Sequence, residues 1–128
     1  MHKPIVWILG TGGTIASKYD PQLGGHVAAA STEDLISAVP ELRNLSDIRV
    51  LEHSKINSPG IDTATVFALR DRLRQVLADE AVAGAVITHG TATLEETAYM
   101  MELTVGAAKP VVVTGSQRDF DEKDSDGP

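Results

Sequence analysis

Cysteine is absent from the 128 residues, aromatic side chains make up only 4%, and eleven basic residues face eighteen acidic ones. Without cysteine there is no disulfide, no thiolate zinc site and no thiol nucleophile, so covalent chemistry would have to run through oxygen. The formal net charge of −7 repels phosphate backbones and acidic membrane surfaces, and no basic stripe offers itself to nucleic acid. Long apolar runs are also missing. Ile5–Leu9 is far too short to span a membrane or form a signal-peptide core, and Gly10 follows it at once. A cytoplasmic location is therefore expected.

The chain does hold enough aliphatic residues for one core: 42% of it is hydrophobic. Strand-like runs fall at Ile5–Leu9, Ile48–Leu51, Ala85–Thr88 and Val111–Thr114, with room for helices between them. That alternation predicts βαβ units and a mainly parallel sheet, an α/β fold. A first helix opens at Ser31 or Thr32 and stops before Pro40. A second opens near Asp62 or Thr63, with Val66, Leu69, Leu73, Val76 and Leu77 on one face and Arg70, Arg72 and Arg74 as a solvated one. Thr93-Leu94-Glu95-Glu96 has the form of a capping box, so a third helix is predicted from Thr93, with Leu94, Ala98, Met101 and Val105 as its inner stripe and Gly106 as its end. The polar, acidic segment from Asp119 to Pro128 reads as a loop that leads on.

Right-handed βαβ connections bring the carboxyl ends of parallel strands to one edge of the sheet. Hydroxyl residues follow each of the first three strands: Thr11 and Thr14, then Ser54 and Ser58, then Thr91 and Thr93. Such a set makes a plausible polar pocket, although serine and threonine also serve simply as turn and cap residues. Gly10, Gly12 and Gly13 allow close backbone approach to a ligand, as an oxyanion site needs. A dinucleotide loop would look similar, but the acid ending the second strand is Glu52, too distant for that fingerprint. A threonine hydroxyl needs a proton acceptor before it attacks anything. His89, at the end of a buried strand, reads more simply as a structural group, Glu95 and Glu96 as helix-start charges, and His2, His26 and His53 show no metal-like spacing.

Thr11-Gly12-Gly13-Thr14-Ile15-Ala16 and Thr88-His89-Gly90-Thr91 together with Thr93-Leu94-Glu95-Glu96 resemble the two threonine motifs of the asparaginase/glutaminase family of amidohydrolases. The likeness continues through Ala38-Val39-Pro40-Glu41-Leu42, Ser58, Lys109 to Gly115, and Ser125-Asp126-Gly127-Pro128. It implies that residues 1–128 form the three-layer N-terminal α/β domain of that family, incomplete here and lacking its C-terminal domain. It also implies hydrolysis of the side-chain amide of L-asparagine, or of L-glutamine, to the acid and ammonia, without a cofactor or metal. Thr14 would be the nucleophile, with Tyr19 hydrogen-bonded to it. Thr91 would be the second threonine, Ser58 would hold the substrate's α-carboxylate, and Gly13 would help line the oxyanion site. The full-length form would be a homo-oligomer.

The resemblance breaks at Ala92, where the family has an aspartate that accepts the substrate's α-ammonium. Leaving a desolvated charge unpaired costs on the order of 3–5 kcal/mol. Ser58 is followed by Pro59-Gly60, another variant, and the lysine that the family pairs with its second threonine would lie beyond Pro128. The competing expectations are a relative that binds an amino-acid-like ligand without turnover, half of a split assembly, and the related glutamyl-tRNA amidotransferase subunit.

Overall fold

The computed structural model describes residues 2–106 and 108–128. Four strands form one parallel sheet in the order β4-β1-β5-β6, with β1 at Ile5–Gly10, β4 at Asp47–Glu52, β5 at Val82–Thr88 and β6 at Val111–Thr114. All four strands expected from the apolar runs are present. The central pair β1 and β5 carries the aliphatic runs, and burial of Leu9, Val82 and Ile87 is essentially complete.

Side chains alternate between the two faces of a strand, so Leu9 and Gly10 point opposite ways. Leu9 packs into the main core with Val66, Leu69, Leu73 and Leu77 of helix α3, Thr63–Leu77, and with Met101 of helix α4, Leu94–Thr104. Gly10 lies against Thr32 of helix α1, Thr32–Ser37, so closely that a Cβ would collide with the threonine hydroxyl. Helices therefore cover both faces, giving three layers. Truncating Leu73, fully enclosed in this core, would cost about 2–5 kcal/mol.

The helix starts follow their caps. Ser31 accepts from the Asp34 amide while the Asp34 carboxylate accepts from the Ser31 amide, a reciprocal capping box, and Asp62 caps α3 through the Thr65 amide. At α4 the expectation needs correction. Thr93 is the N-cap residue, but its hydroxyl donates to the Ser58 carbonyl at 3.1 Å and makes no cap bond. The box is given up to tie two loops together. The buried side chains of α4 are Thr97 and Met101, and Leu94, Ala98 and Val105 are half-buried. Gly106 ends the helix at φ +65°, the left-handed geometry that glycine adopts without penalty.

Two elements were not foreseen. A short helix α2 covers Leu42–Leu45, and an antiparallel ribbon of β2, Ser17–Asp20, and β3, Gly25–Ala28, follows the Thr14–Ala16 turn directly. The residues flanking the ribbon, Ile15 and Ala16 before it and Ala30 after it, form a second small cluster with Leu35 and Phe120. Among the described residues no helix is long and apolar enough to cross a membrane.

Candidate active site

The loops leaving the carboxyl ends of β1, β4 and β5 meet in direct backbone contact. Gly12, at φ +103°, sits where a Cβ would lie 2.5 Å from the Ile56 nitrogen. Gly13, at φ +81°, leaves no space for a Cβ beside the Gly90 backbone, and a Cβ on Gly90 would lie 2.6 Å from Ser58 Oγ. Both the positive φ and the close approach demand glycine. Hydrogen bonds then fix the arrangement: the Gly13 amide donates to the Ile56 carbonyl at 3.1 Å, and the Ala92 amide donates to Ser58 Oγ at 3.1 Å.

These loops border a cleft of about 300 Å³, whose lining includes Thr14, Ser58, Thr91, Ala92, His26 and Asp119, with Gly13 at its edge. A larger depression, of about 700 Å³, lies at the amino ends of β1 and β4. Its charges are largely answered locally, Arg49 by Asp47 and Lys3 by the Arg43 carbonyl. The smaller cleft is where the candidate chemistry converges.

The structure sorts the hydroxyl groups that the strand ends bring together. Thr11 is buried and donates to the Thr88 carbonyl at 2.8 Å, Ser54 donates to the Thr11 carbonyl at 2.9 Å, and Thr93 donates to the Ser58 carbonyl. Those three hold loops together. Ser58, buried under the Ala92 amide, uses its oxygen as an acceptor and keeps its proton for another partner. Thr14 and Thr91 line the cleft, and among the described residues neither hydroxyl has a protein hydrogen-bond partner. The Thr14 and Thr91 amides are likewise free of protein acceptors among the described residues, whereas the Gly13 amide is already taken by Ile56.

His89 lies beneath this floor as a structural post. Its Nδ1 pairs with the Gly90 carbonyl at 2.7 Å and its Nε2 with Thr97 Oγ1 at 2.9 Å. A neutral ring protonated at Nδ1 satisfies both contacts, with Thr97 donating to Nε2. Burial holds the pKa of His89 below the ordinary histidine value, with the Gly90 carbonyl and Glu96 opposing that shift.

Tyr19 is not among the residues that line the cleft. It is 52% exposed on β2, and its ring meets His26 edge-on, with centroids 5.3 Å apart. His26, its cross-strand partner, does line the cleft and pairs through Nδ1 with Asp119 Oδ2. Sequence reasoning missed His26 and Asp119 as site residues, together with Asn57, which also lines the cleft. The turn-forming run Asp20-Pro21 to Gly24-Gly25 was the available sign of a ribbon that would carry His26 back toward Thr14. Among the described residues no cluster of three or more histidine, aspartate or glutamate side chains could hold a metal ion.

In open parallel α/β sheets ligands bind in the crevice outside the carboxyl ends of the strands, and that is where this chain holds the uncommitted threonine hydroxyls. Residues 5–128 match the family model described as Asparaginase, N-terminal, and the chain belongs to the asparaginase family. It is 38% identical over 127 residues to L-asparaginase 2-3 of Saccharomyces cerevisiae, covering 98% of this chain and 35% of that protein. It is 39% identical over 128 residues to L-asparaginase 2 of Bacillus subtilis, covering 98% and 34%. Among solved structures, the probable cytoplasmic L-asparaginase from Campylobacter jejuni superimposes with a TM-score of 0.87 at 38% identity, covering 98% of this chain and 37% of that one. The chain thus spans about a third of the length of the curated relatives it matches.

Proposed function

We propose that residues 1–128 supply the nucleophile-bearing N-terminal domain of an amidohydrolase that converts the side-chain amide of L-asparagine, or L-glutamine, to the acid and ammonia. The observation that carries this reading is the sorting of hydroxyls: Thr14 and Thr91 face one cleft uncommitted while their neighbours are spent on loop carbonyls. Thr14 forms the ester and Thr91 positions the attacking water. The free Thr14 and Thr91 amides are the donors for the oxyanion, and Gly13 shapes the site by letting the loops close. The Ser58 proton is available to the substrate's carboxylate. Tyr19 takes part only through the His26 ring it touches. The reaction calls for no cofactor. A cytoplasmic, homo-oligomeric full-length protein belongs to the same reading, and the Campylobacter jejuni neighbour, a probable cytoplasmic L-asparaginase, supports the location.

Ala92 favours a second reading, an amino-acid-like ligand bound without turnover, because it lines the cleft with a methyl group and offers an incoming ammonium no charge. The two readings part on ammonia release by the complete protein. Ala92→Asp should raise asparagine turnover by at least about tenfold, the equivalent of 1.4 kcal/mol. Thr14→Val in that background should abolish the gain, since the attacking oxygen is gone. No ammonia from either the unaltered protein or Ala92→Asp would leave the binding reading.

A further inference from the structure

His26 and Asp119 reach the cleft from parts of the chain far apart in sequence, and their pairing is built rather than incidental. The Asp119 side chain is only 13% exposed although it ends in a charge, whereas His26 is 52% exposed. The segment that carries Asp119 is fastened on both sides. Its Phe120 amide donates to the Ser17 carbonyl at 2.9 Å, the Tyr19 amide donates to Asp121 Oδ2 at 3.0 Å, and the Asp126 carboxylate accepts from the Gln117 and Arg118 amides. On the other side Tyr19 packs against the His26 ring. A carboxylate at Nδ1 keeps the proton on that nitrogen, which leaves Nε2 with a lone pair. Among the described residues Nε2 has no protein partner, and Thr14 lines the same cleft with an uncommitted hydroxyl. His89 cannot serve in this way, since both of its nitrogens are engaged below the floor.

We infer that His26 is the proton acceptor for Thr14 and that Asp119 is the positioning residue that fixes its ring. This rests on the amidohydrolase reading and adds to it the group a threonine nucleophile requires. As Thr14 Oγ bonds to the amide carbon, its proton passes to His26 Nε2 and the carbonyl electron pair moves onto oxygen. When that pair returns, the C–N bond breaks and His26 hands the proton to the departing nitrogen, which leaves as ammonia. Water then attacks the Thr14 ester, His26 takes a proton from the water, and that proton returns to Thr14 Oγ as the acid is released.

The test measures ammonia release by the complete protein and its His26→Ala, His26→Gln, Asp119→Asn and Thr14→Val variants, with melting curves for each. Loss of the acceptor should lower kcat by about 10²- to 10⁴-fold in either His26 variant. Added imidazole should restore rate to His26→Ala in proportion to its concentration and restore nothing to Thr14→Val. Asp119→Asn should lower kcat with KM little changed, and should cost little further once His26 is already alanine, since the two act as one unit. If His26→Ala does not fold, His26→Gln and Asp119→Asn decide. An active protein whose Thr14→Val variant is dead, yet whose folded His26 variants keep a rate within about threefold, overturns the role of His26 and leaves the amidohydrolase reading standing. If neither the unaltered protein nor Ala92→Asp releases ammonia, both are overturned.

Discussion

The loops after β1, β4 and β5 touch backbone to backbone, whereas the β2–β3 ribbon and the segment from Ser116 to Pro128 meet the same cleft through side chains. The first wall has almost no freedom, because glycines allow main chains to sit where no Cβ fits. It presents hydroxyls and amides, groups that act by position. The second wall is fastened by carboxylates and a cation over an aromatic ring, Lys18 above Phe120, and it presents the titratable pair His26 and Asp119. Position is thus separated from proton transfer, each served by the kind of packing that suits it.

If the first wall depends on glycine, Gly13→Ala should have the largest effect on stability. A non-glycine residue at positive φ costs of order 1–3 kcal/mol, and here the Cβ also meets the Gly90 backbone, so a denaturant midpoint should register a loss above about 3 kcal/mol. Gly24→Ala shares the positive φ but has open space around it, and should cost about 1 kcal/mol. Equal losses at the two positions would show that the interlock adds nothing.

Ser58→Ala should come next. It strands the Ala92 amide without its acceptor at a partly buried joint, a loss of about 0.5–1.5 kcal/mol readable from the melting temperature. The same substitution should raise KM if the Ser58 proton meets the substrate.

His89 adds a smaller, pH-dependent effect beneath the same wall. Its folded pKa is lowered, so the unfolded chain takes up the proton first as pH drops. Stability is fully present above about pH 6.5, the ordinary histidine value, and falls as pH descends toward the folded pKa, by at most about 1.4 kcal/mol per pH unit. Urea midpoints across this range should show the limb in the native protein and a flatter one in His89→Gln.

The smallest effect belongs to the second wall. The Gln117 and Arg118 amides hold the Asp126 carboxyl below the usual carboxylate range. That contribution is present above about pH 3.9 and is lost as pH falls through the depressed folded value. Amide exchange at Gln117 and Arg118 should speed up in Asp126→Asn while exchange in β1 and β5 stays unchanged. Uniform acceleration through the sheet would mean that the two walls are not independent.

The first wall was largely legible in the sequence and the second was not, for physical reasons. Apolar runs such as Val111–Thr114 mark strands by composition alone, and strand ends place Thr14, Ser58 and Thr91 at one edge through the handedness of βαβ connections. The ribbon of Ser17–Asp20 and Gly25–Ala28 has no apolar run to announce it, and Tyr19 drew attention where its cross-strand partner His26 enters the cleft. Pairing between His26 and Asp119 is purely tertiary, and no local spacing encodes it. The spacing at Thr93 suggested a capping box, yet the Ser58 carbonyl competed for the hydroxyl and won. Likewise Thr11 and Thr14 look equivalent as letters. Only the structure shows Thr11 spent on the Thr88 carbonyl and Thr14 free.

The most direct measurement is to find which oxygen carries the acyl group. Quenching the complete protein with acid during turnover of asparagine, then digesting it and weighing the peptides, should place the acyl mass on the peptide containing Thr14, with none on the peptide containing Thr91. Thr14→Val should erase it. An adduct on Thr91, or steady ammonia release from Thr14→Val, would contradict the assignment of the nucleophile to the wall that the glycines hold in place.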